Sequence, residues 1–271
     1  MIIGILTAHF YELLMLFLIV FVHEMGHAFA AAYFKWRIKS ITLLPFGGML
    51  ETEEHGNRPL KEDFFVLING PIQHLWLFVL GYLFYMTGVV EQDLLTTFFY
   101  MNTTICLFNL LPMWPLDGGK LLFLLLSLRY SFLRGYQLVL QFSFYFVILF
   151  IFLMFGMGQF SLNGLIIIGF ILFSLIVEWR QKQYVFMRFL LERHYGRNHQ
   201  VMQLKPLAVD EQETVHATLQ LFQKGSKHPI IIMKNGQERG VLDENELLHA
   251  YFTDKLTGIK YIYDYYKADM S

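Results

Sequence analysis

Apolar residues fill the first two thirds of the chain in long runs, whereas the last third mixes apolar and polar positions in short periods. Runs of about 20 residues are long enough to cross a hydrocarbon core of roughly 30 Å. They fall at residues 11–34, 64–88, 94–112, 136–156 and 162–178, with a short apolar helix at 117–128 between the third and fourth. Residues 38–56 (IKSITLLPFGGMLETEEHG) are too short and turn-rich to span. Ile41 and Leu43 alternate with Thr42, and Pro45, Gly47 and Gly48 follow, which predicts a small β-hairpin or re-entrant loop. Residues 1–8 precede the first run and are too few to form another span.

The pattern changes after the last run. RFLLERHYGRNHQ reads as a polar-basic linker helix, and a compact soluble pattern follows. A helical stretch at 210–224 leads to a strand at 228–234, an Asn235–Gly236 turn, a second short strand and a helix at 243–252. Asn-Gly between apolar runs is a strong hairpin signal. The expected architecture is a multi-span α-helical membrane protein with a re-entrant β-hairpin, plus a small soluble α+β domain. Its parts are a membrane domain at 1–182, a linker helix at 183–199 and a C-terminal domain at 200–271.

Composition supports that division. Of 271 residues, 55% are hydrophobic and only 16% charged, where a soluble domain is usually nearer a quarter charged. The net charge of −1 gives no reason to expect a nucleic-acid partner. The single Cys106 excludes an internal disulfide framework. The apolar start lacks a basic n-region and a small-residue cleavage site, so no cleavable signal peptide is expected. Lys and Arg cluster at 35–39 and 58–61, at 129–134 and after 180, while the connections near 91–93 and 156–159 have none. The basic loops and the C-terminal domain are therefore expected on the cytosolic side.

Within the first run stands His23-Glu24-Met25-Gly26-His27. Helical residues four apart share a face, so both imidazoles can hold one zinc ion while Glu24 takes a proton from water. Ionisable side chains at membrane depth cost roughly 2.5–3.5 kcal/mol each, which a metal or cavity would offset. A catalytic zinc site needs a third protein ligand. Asp117, in Asn109-Leu-Leu-Pro112-Met-Trp-Pro115-Leu-Asp117-Gly118-Gly119, is the candidate, since Pro112 and Pro115 break the run and irregular backbone at that depth must line a cavity or lie buried. The other reading of Asp117 is a helix N-cap. Asn109 reads either as an amide donor to a developing oxyanion or as an interhelical hydrogen bond. Gly70-Pro71 reads as close helix packing. His9, His55 and His74 are single and read as non-ligands.

HExxH on a span, a Gly-rich β-like loop, and N-x-x-P-x-x-P-L-D-G-G together resemble the site-two protease family of intramembrane zinc metalloproteases. The likeness covers residues of roughly 11 to 180, and LLPFGG, EEHGNRPLKEDF and RFLLERHYGRN are similar to the family's sporulation members. The resemblance implies one Zn2+ on His23, His27 and Asp117, with Glu24 as base. It implies that Asn109 and Pro115 help position the substrate, and that the loop at Gly47 and Gly48 holds it as an added strand. It further implies a protein substrate, the pro-sequence of a sporulation sigma factor (pro-sigma-K), and inhibitory membrane-protein partners in the mother-cell membrane around the forespore. Residues 200–271 resemble a CBS domain, which implies ATP at the tail and a homo-oligomer. Two rivals are a di-iron oxygenase, which would need more clustered histidines, and a nucleotide-sensing scaffold or transporter without catalysis.

Overall fold

Helix α1 (Phe10–Tyr33) explains its own placement through the stripe it hides. Ile19, His23, His27 and Ala31 lie at successive four-residue steps and are all buried, with Val20, Glu24 and Ala28 beside them. Leu14, Leu18, Phe21, Phe29 and Tyr33 cover the opposite side and stay exposed, as expected of a helix whose other solvent is lipid. The computed structural model describes residues 10–44, 47–52, 58–156, 162–196 and 203–268. The expectations for residues 1–8, Pro45, His9, His55 and the start of the C-terminal domain lie outside the described residues.

Strands β1 (Ile38–Leu44) and β2 (Gly47–Thr52) form the antiparallel hairpin expected at 38–56, with Leu43 opposite Gly48 and Leu44 opposite Gly47. Helix α2 (Leu60–Thr87) carries Pro71 within it, α3 runs Gln92–Asn109, and α4 runs Asp117–Ser127. Helices α5 (Phe132–Gly156) and α6 (Leu162–Tyr195) complete the apolar part.

Among the described residues, four helices are long and apolar enough to cross a membrane: Phe10–Tyr33, Leu60–Thr87, Phe132–Met154 and Gly164–Tyr195. The third expected span, 94–112, is helical as α3 to Asn109 but is not among them. Thr96, Thr97, Thr103 and Asn102 dilute its hydropathy, and the three hydroxyls donate to carbonyls four residues back, at 2.9, 3.0 and 2.7 Å.

The segment expected as a linker at 183–199 continues α6 without a break to Tyr195. At about 1.5 Å per residue, 34 residues extend some 50 Å, well beyond a hydrocarbon core.

Two compact units emerge from the described residues of Met1–Glu54, Lys61–Leu122 and Val139–Ile176, and of His55–Leu60, Phe123–Leu138 and Val177–Ser271. In the first, the hairpin lies against α1, and Ala30, Ala31 and Val66 form a core flanked by Phe34, Trp36 and Leu50. Trp36 closes it by donating its indole N–H to Glu62 Oε2 at 3.0 Å.

In the second unit, β4 (Leu207–Asp210) pairs in parallel with β6 (Ile230–Lys234), and β6 pairs antiparallel with β7 (Gln237–Leu242). The β6–β7 turn is the expected Asn235–Gly236, both with positive φ (50° and 80°). Short strands β3 (Gln203–Leu204) and β5 (Ser226–Lys227) pair beside them. Helix α7 covers only Val215–Leu219 of the stretch expected at 210–224. Helix α8 (Glu244–Phe252) starts at an Asp243 capping box, and α9 is Ile259–Ala268. Phe186, Phe189 and Leu190 from the end of α6 are fully buried in this unit, and Phe132 stacks on Phe189 with ring centroids 4.1 Å apart.

Candidate metal centre

The site is built on the hidden stripe of α1. One helical turn separates His23 from His27, so their Nε2 atoms lie 3.2 Å apart and the rings meet edge to face. Asp117, the first residue of α4, brings Oδ2 to 2.9 Å from each of those nitrogens. Its other oxygen, Oδ1, faces Lys120 Nζ at 3.4 Å. His23, His27 and Asp117 are all at least 95% buried. The backbone comes close enough because of glycine: a Cβ at Gly118 would sit 2.2 Å from the Leu110 carbonyl oxygen, and one at Gly119 2.5 Å from that of Met113.

Three ligand-type atoms therefore form a triangle with edges of 2.9, 2.9 and 3.2 Å. Zinc bonded to nitrogen and oxygen at 2.0–2.1 Å in a tetrahedron separates its ligands by roughly 3.3–3.4 Å. The donor set, two imidazoles and one carboxylate with a fourth position to spare, fits a single zinc ion. His27 is already oriented for that: its Nδ1–H donates to the Val66 carbonyl at 2.7 Å, an oxygen that only accepts. A neutral ring that spends its proton there presents a lone pair at Nε2.

Glu24 is 96% buried, and one of its carboxylate oxygens lies within 4.8 Å of ligand atoms of both histidines. Strand β2 presses on it, since a Cβ at Gly48 would stand 2.1 Å from Glu24 Cγ and 2.5 Å from Oε1. Gly48 thus lies at the site, with Gly47 next to it on β2. Helices α1 and α2 meet through glycines in the same manner. A Cβ at Gly26 would be 2.4 Å from the Asn69 oxygen, and one at Gly70 2.2 Å from His27 Nε2. The Gly70-Pro71 step is where the His27 ring packs.

Asn109, at the end of α3, donates its amide to the Ile105 carbonyl within its own helix at 3.1 Å. Pro115 is half-buried in the turn that leads into Asp117, next to Trp114, whose backbone N–H donates to Ser143 Oγ at 2.8 Å.

His74, read from the sequence as a single non-ligand histidine, is fully buried against the site: its Nε2 lies 3.1 Å from His23 Nδ1. Asn102 of α3, also fully buried, stands behind it with Oδ1 2.7 Å from His74 Nδ1. One signal for both was available, since ionisable and amide side chains inside apolar runs are rare without a task.

A model of peptidase family M50 matches this chain at residues 11–95 and 87–153. Stage IV sporulation protein FB of Bacillus subtilis (strain 168) is 47% identical over 254 residues, covering 94% of this chain and 88% of that protein. A putative zinc metalloprotease of Synechocystis is 39% identical over 125 residues, 45% of this chain and 31% of that protein. A zinc metalloprotease of Methanocaldococcus jannaschii is 30% identical over 128 residues, 45% and 36% of the two chains. The solved site-2 protease from Methanocaldococcus jannaschii aligns with a TM-score of 0.46 at 24% identity, over 70% of this chain and 81% of that one.

Proposed function

Since this chain belongs to peptidase family M50 and is a zinc-dependent protease, we propose that His23, His27 and Asp117 hold the metal and that Glu24 is the general base. The observation that carries the reading is the convergence of two ring nitrogens and one carboxylate oxygen within 3.2 Å of one another. When bound, zinc polarises the scissile carbonyl and lowers the pKa of a water from 15.7 toward about 7. Glu24, one residue from His23 on the same helix, takes the water's proton and returns it to the leaving amine nitrogen. Gly48 leaves the β2 backbone close enough to hold the Glu24 carboxylate in one place.

A helical substrate hides its carbonyls in its own hydrogen bonds and must be drawn out before attack. The two-stranded hairpin offers outer edges with backbone groups for an extended peptide, added as a further strand past Gly47 and Gly48. Pro115 shapes the turn that delivers Asp117. Asn109 becomes an oxyanion donor if its amide exchanges the Ile105 carbonyl for the substrate oxygen.

The substrate we propose is the pro-sequence of a sporulation sigma factor, on the strength of the sporulation relative that matches nearly end to end. The same reading places the protein in the mother-cell membrane around the forespore, with basic loops toward the cytosol, inhibitory membrane-protein partners, ATP at the C-terminal domain and a homo-oligomer. These finer parts rest on the resemblance and the charge pattern alone.

The test is coexpression with a pro-sigma-factor substrate. E24Q should lower cleavage by about 10²–10⁴-fold while the purified protein keeps one zinc per chain. Full cleavage by E24Q would remove Glu24 from the mechanism.

A further inference from the structure

The two histidines of the metal centre are oriented by different means. His27 gives its Nδ1 proton to the Val66 carbonyl, which no side-chain change can remove. His23 Nδ1 faces the Nε2 of His74 instead, at 3.1 Å. An imidazole nitrogen can accept or donate, so this contact alone does not decide which atom of His23 carries the proton.

The decision is made one residue further out, at Asn102. Its amide nitrogen lies 3.1 Å from the His74 backbone carbonyl, which can only accept. The NH2 group must therefore point there, which turns Oδ1 toward His74 Nδ1 at 2.7 Å. That oxygen also only accepts, so His74 carries its proton on Nδ1 and presents a lone pair at Nε2. His23 must then donate from Nδ1, leaving the lone pair of its Nε2 facing Asp117 and His27. A backbone carbonyl on α2 thus dictates, through two fully buried side chains, the tautomer of a residue on α1.

We infer that His74 and Asn102 are positioning residues that fix His23 as the Nε2 ligand. The inference rests on the reading that His23, His27 and Asp117 hold zinc. Partners of this kind behind metal-bound histidines typically change metal affinity by 10–100-fold when removed.

The experiment measures zinc binding rather than cleavage. The full chain is purified in detergent, stripped with chelator and titrated with zinc against a competing chromophoric chelator. H74F removes both ring nitrogens at similar bulk, and N102L removes the amide. H74Q keeps a side-chain oxygen near the position of the lost Nε2, able to accept from His23. Zinc affinity should fall about 10–100-fold in H74F and N102L and return to within a few-fold of wild type in H74Q. A role in packing alone predicts no such recovery, because Gln fills the ring's volume worse than Phe. Wild-type affinity in H74F or N102L overturns the inference, as does H74Q binding no better than H74F. Using two sites leaves one to decide if a variant at the other fails to fold. Wild-type protein that binds no stoichiometric zinc overturns the ligand assignment itself, a result distinct from either.

Discussion

Each of the two units buries a polar network, and the two networks are wired in opposite ways. In the second unit, Arg193 of α6 meets Glu244 Oε1 at 3.0 Å and donates to the Gln223 and Ser226 carbonyls. Glu244 Oε2 accepts the His228 backbone N–H at 2.6 Å. The His228 ring accepts from the Gln223 N–H at 2.9 Å and donates to the Lys205 carbonyl at 2.8 Å. Each of these donors ends on an acceptor, and the network is closed. Around α1 the donors also end on acceptors, but they lead away from the centre, to Val66 and His74. What remains inside is three lone pairs facing one another. Buried acceptors that converge repel unless a cation joins them. Burial of charge alone does not mark a site; the direction of the hydrogen bonds does.

Four changes would break or sharpen that contrast. The largest effect is expected from D117A, which takes one of three acceptors from the centre. Zinc content by elemental analysis should fall to a small fraction of one per chain and cleavage should become undetectable, whereas the second unit should keep its fold. R193A reverses the pattern. It strands a buried carboxylate and should destabilise the second unit by about 3–5 kcal/mol, read as faster amide exchange along β6, with zinc content unchanged.

The third lever is pH. Burial pushes the His228 ring down from its ordinary value to about 4. A group depressed in the folded state contributes fully above its unfolded pKa of 6.5 and loses that contribution as pH falls toward 4, by at most about 3 kcal/mol. Burial raises the Glu244 carboxyl, which acts in the opposite sense and recovers part of the loss at the acid end. Exchange protection of β6 should therefore weaken between pH 6.5 and 4, and H228Q should flatten that dependence. The smallest effect is expected from G48A. A Cβ there would stand 2.1 Å from Glu24 Cγ, so the Glu24 side chain or the strand must give way by about an ångström or more, and kcat should drop up to about 100-fold with zinc retained.

Much of the proposed centre is legible in the sequence. His23, Glu24 and His27 announce themselves by spacing on one helix, and Asp117 by the prolines and glycines that break an apolar run around it. The β1–β2 hairpin and the Asn235–Gly236 turn were legible for the same reason, because local rules decide them. His74 and Asn102 are legible only singly, as polar side chains inside apolar runs, and not as a pair behind His23. Their pairing joins two helices across 28 residues, and nothing local tells which face of an apolar helix looks inward. The continuity of α6 was missed because its charges begin at Glu178 and suggested an ending. Yet Phe186, Phe189, Leu190 and Arg193 follow a helical period, and the unit they fill was there to be read. The third apolar run is a helix, α3, as expected, but its hydroxyls and Asn102 leave it less apolar than the four longer helices.

The Gly48 contact has a consequence for how the enzyme would be told that substrate has arrived. The stretch of β2 that an incoming peptide would line up against is the same stretch whose backbone rests on Glu24. Any tug on that strand would be felt directly by Glu24, the proposed proton carrier. Loading and firing would then share a single moving part, and a peptide that docks out of register would leave the trigger unset.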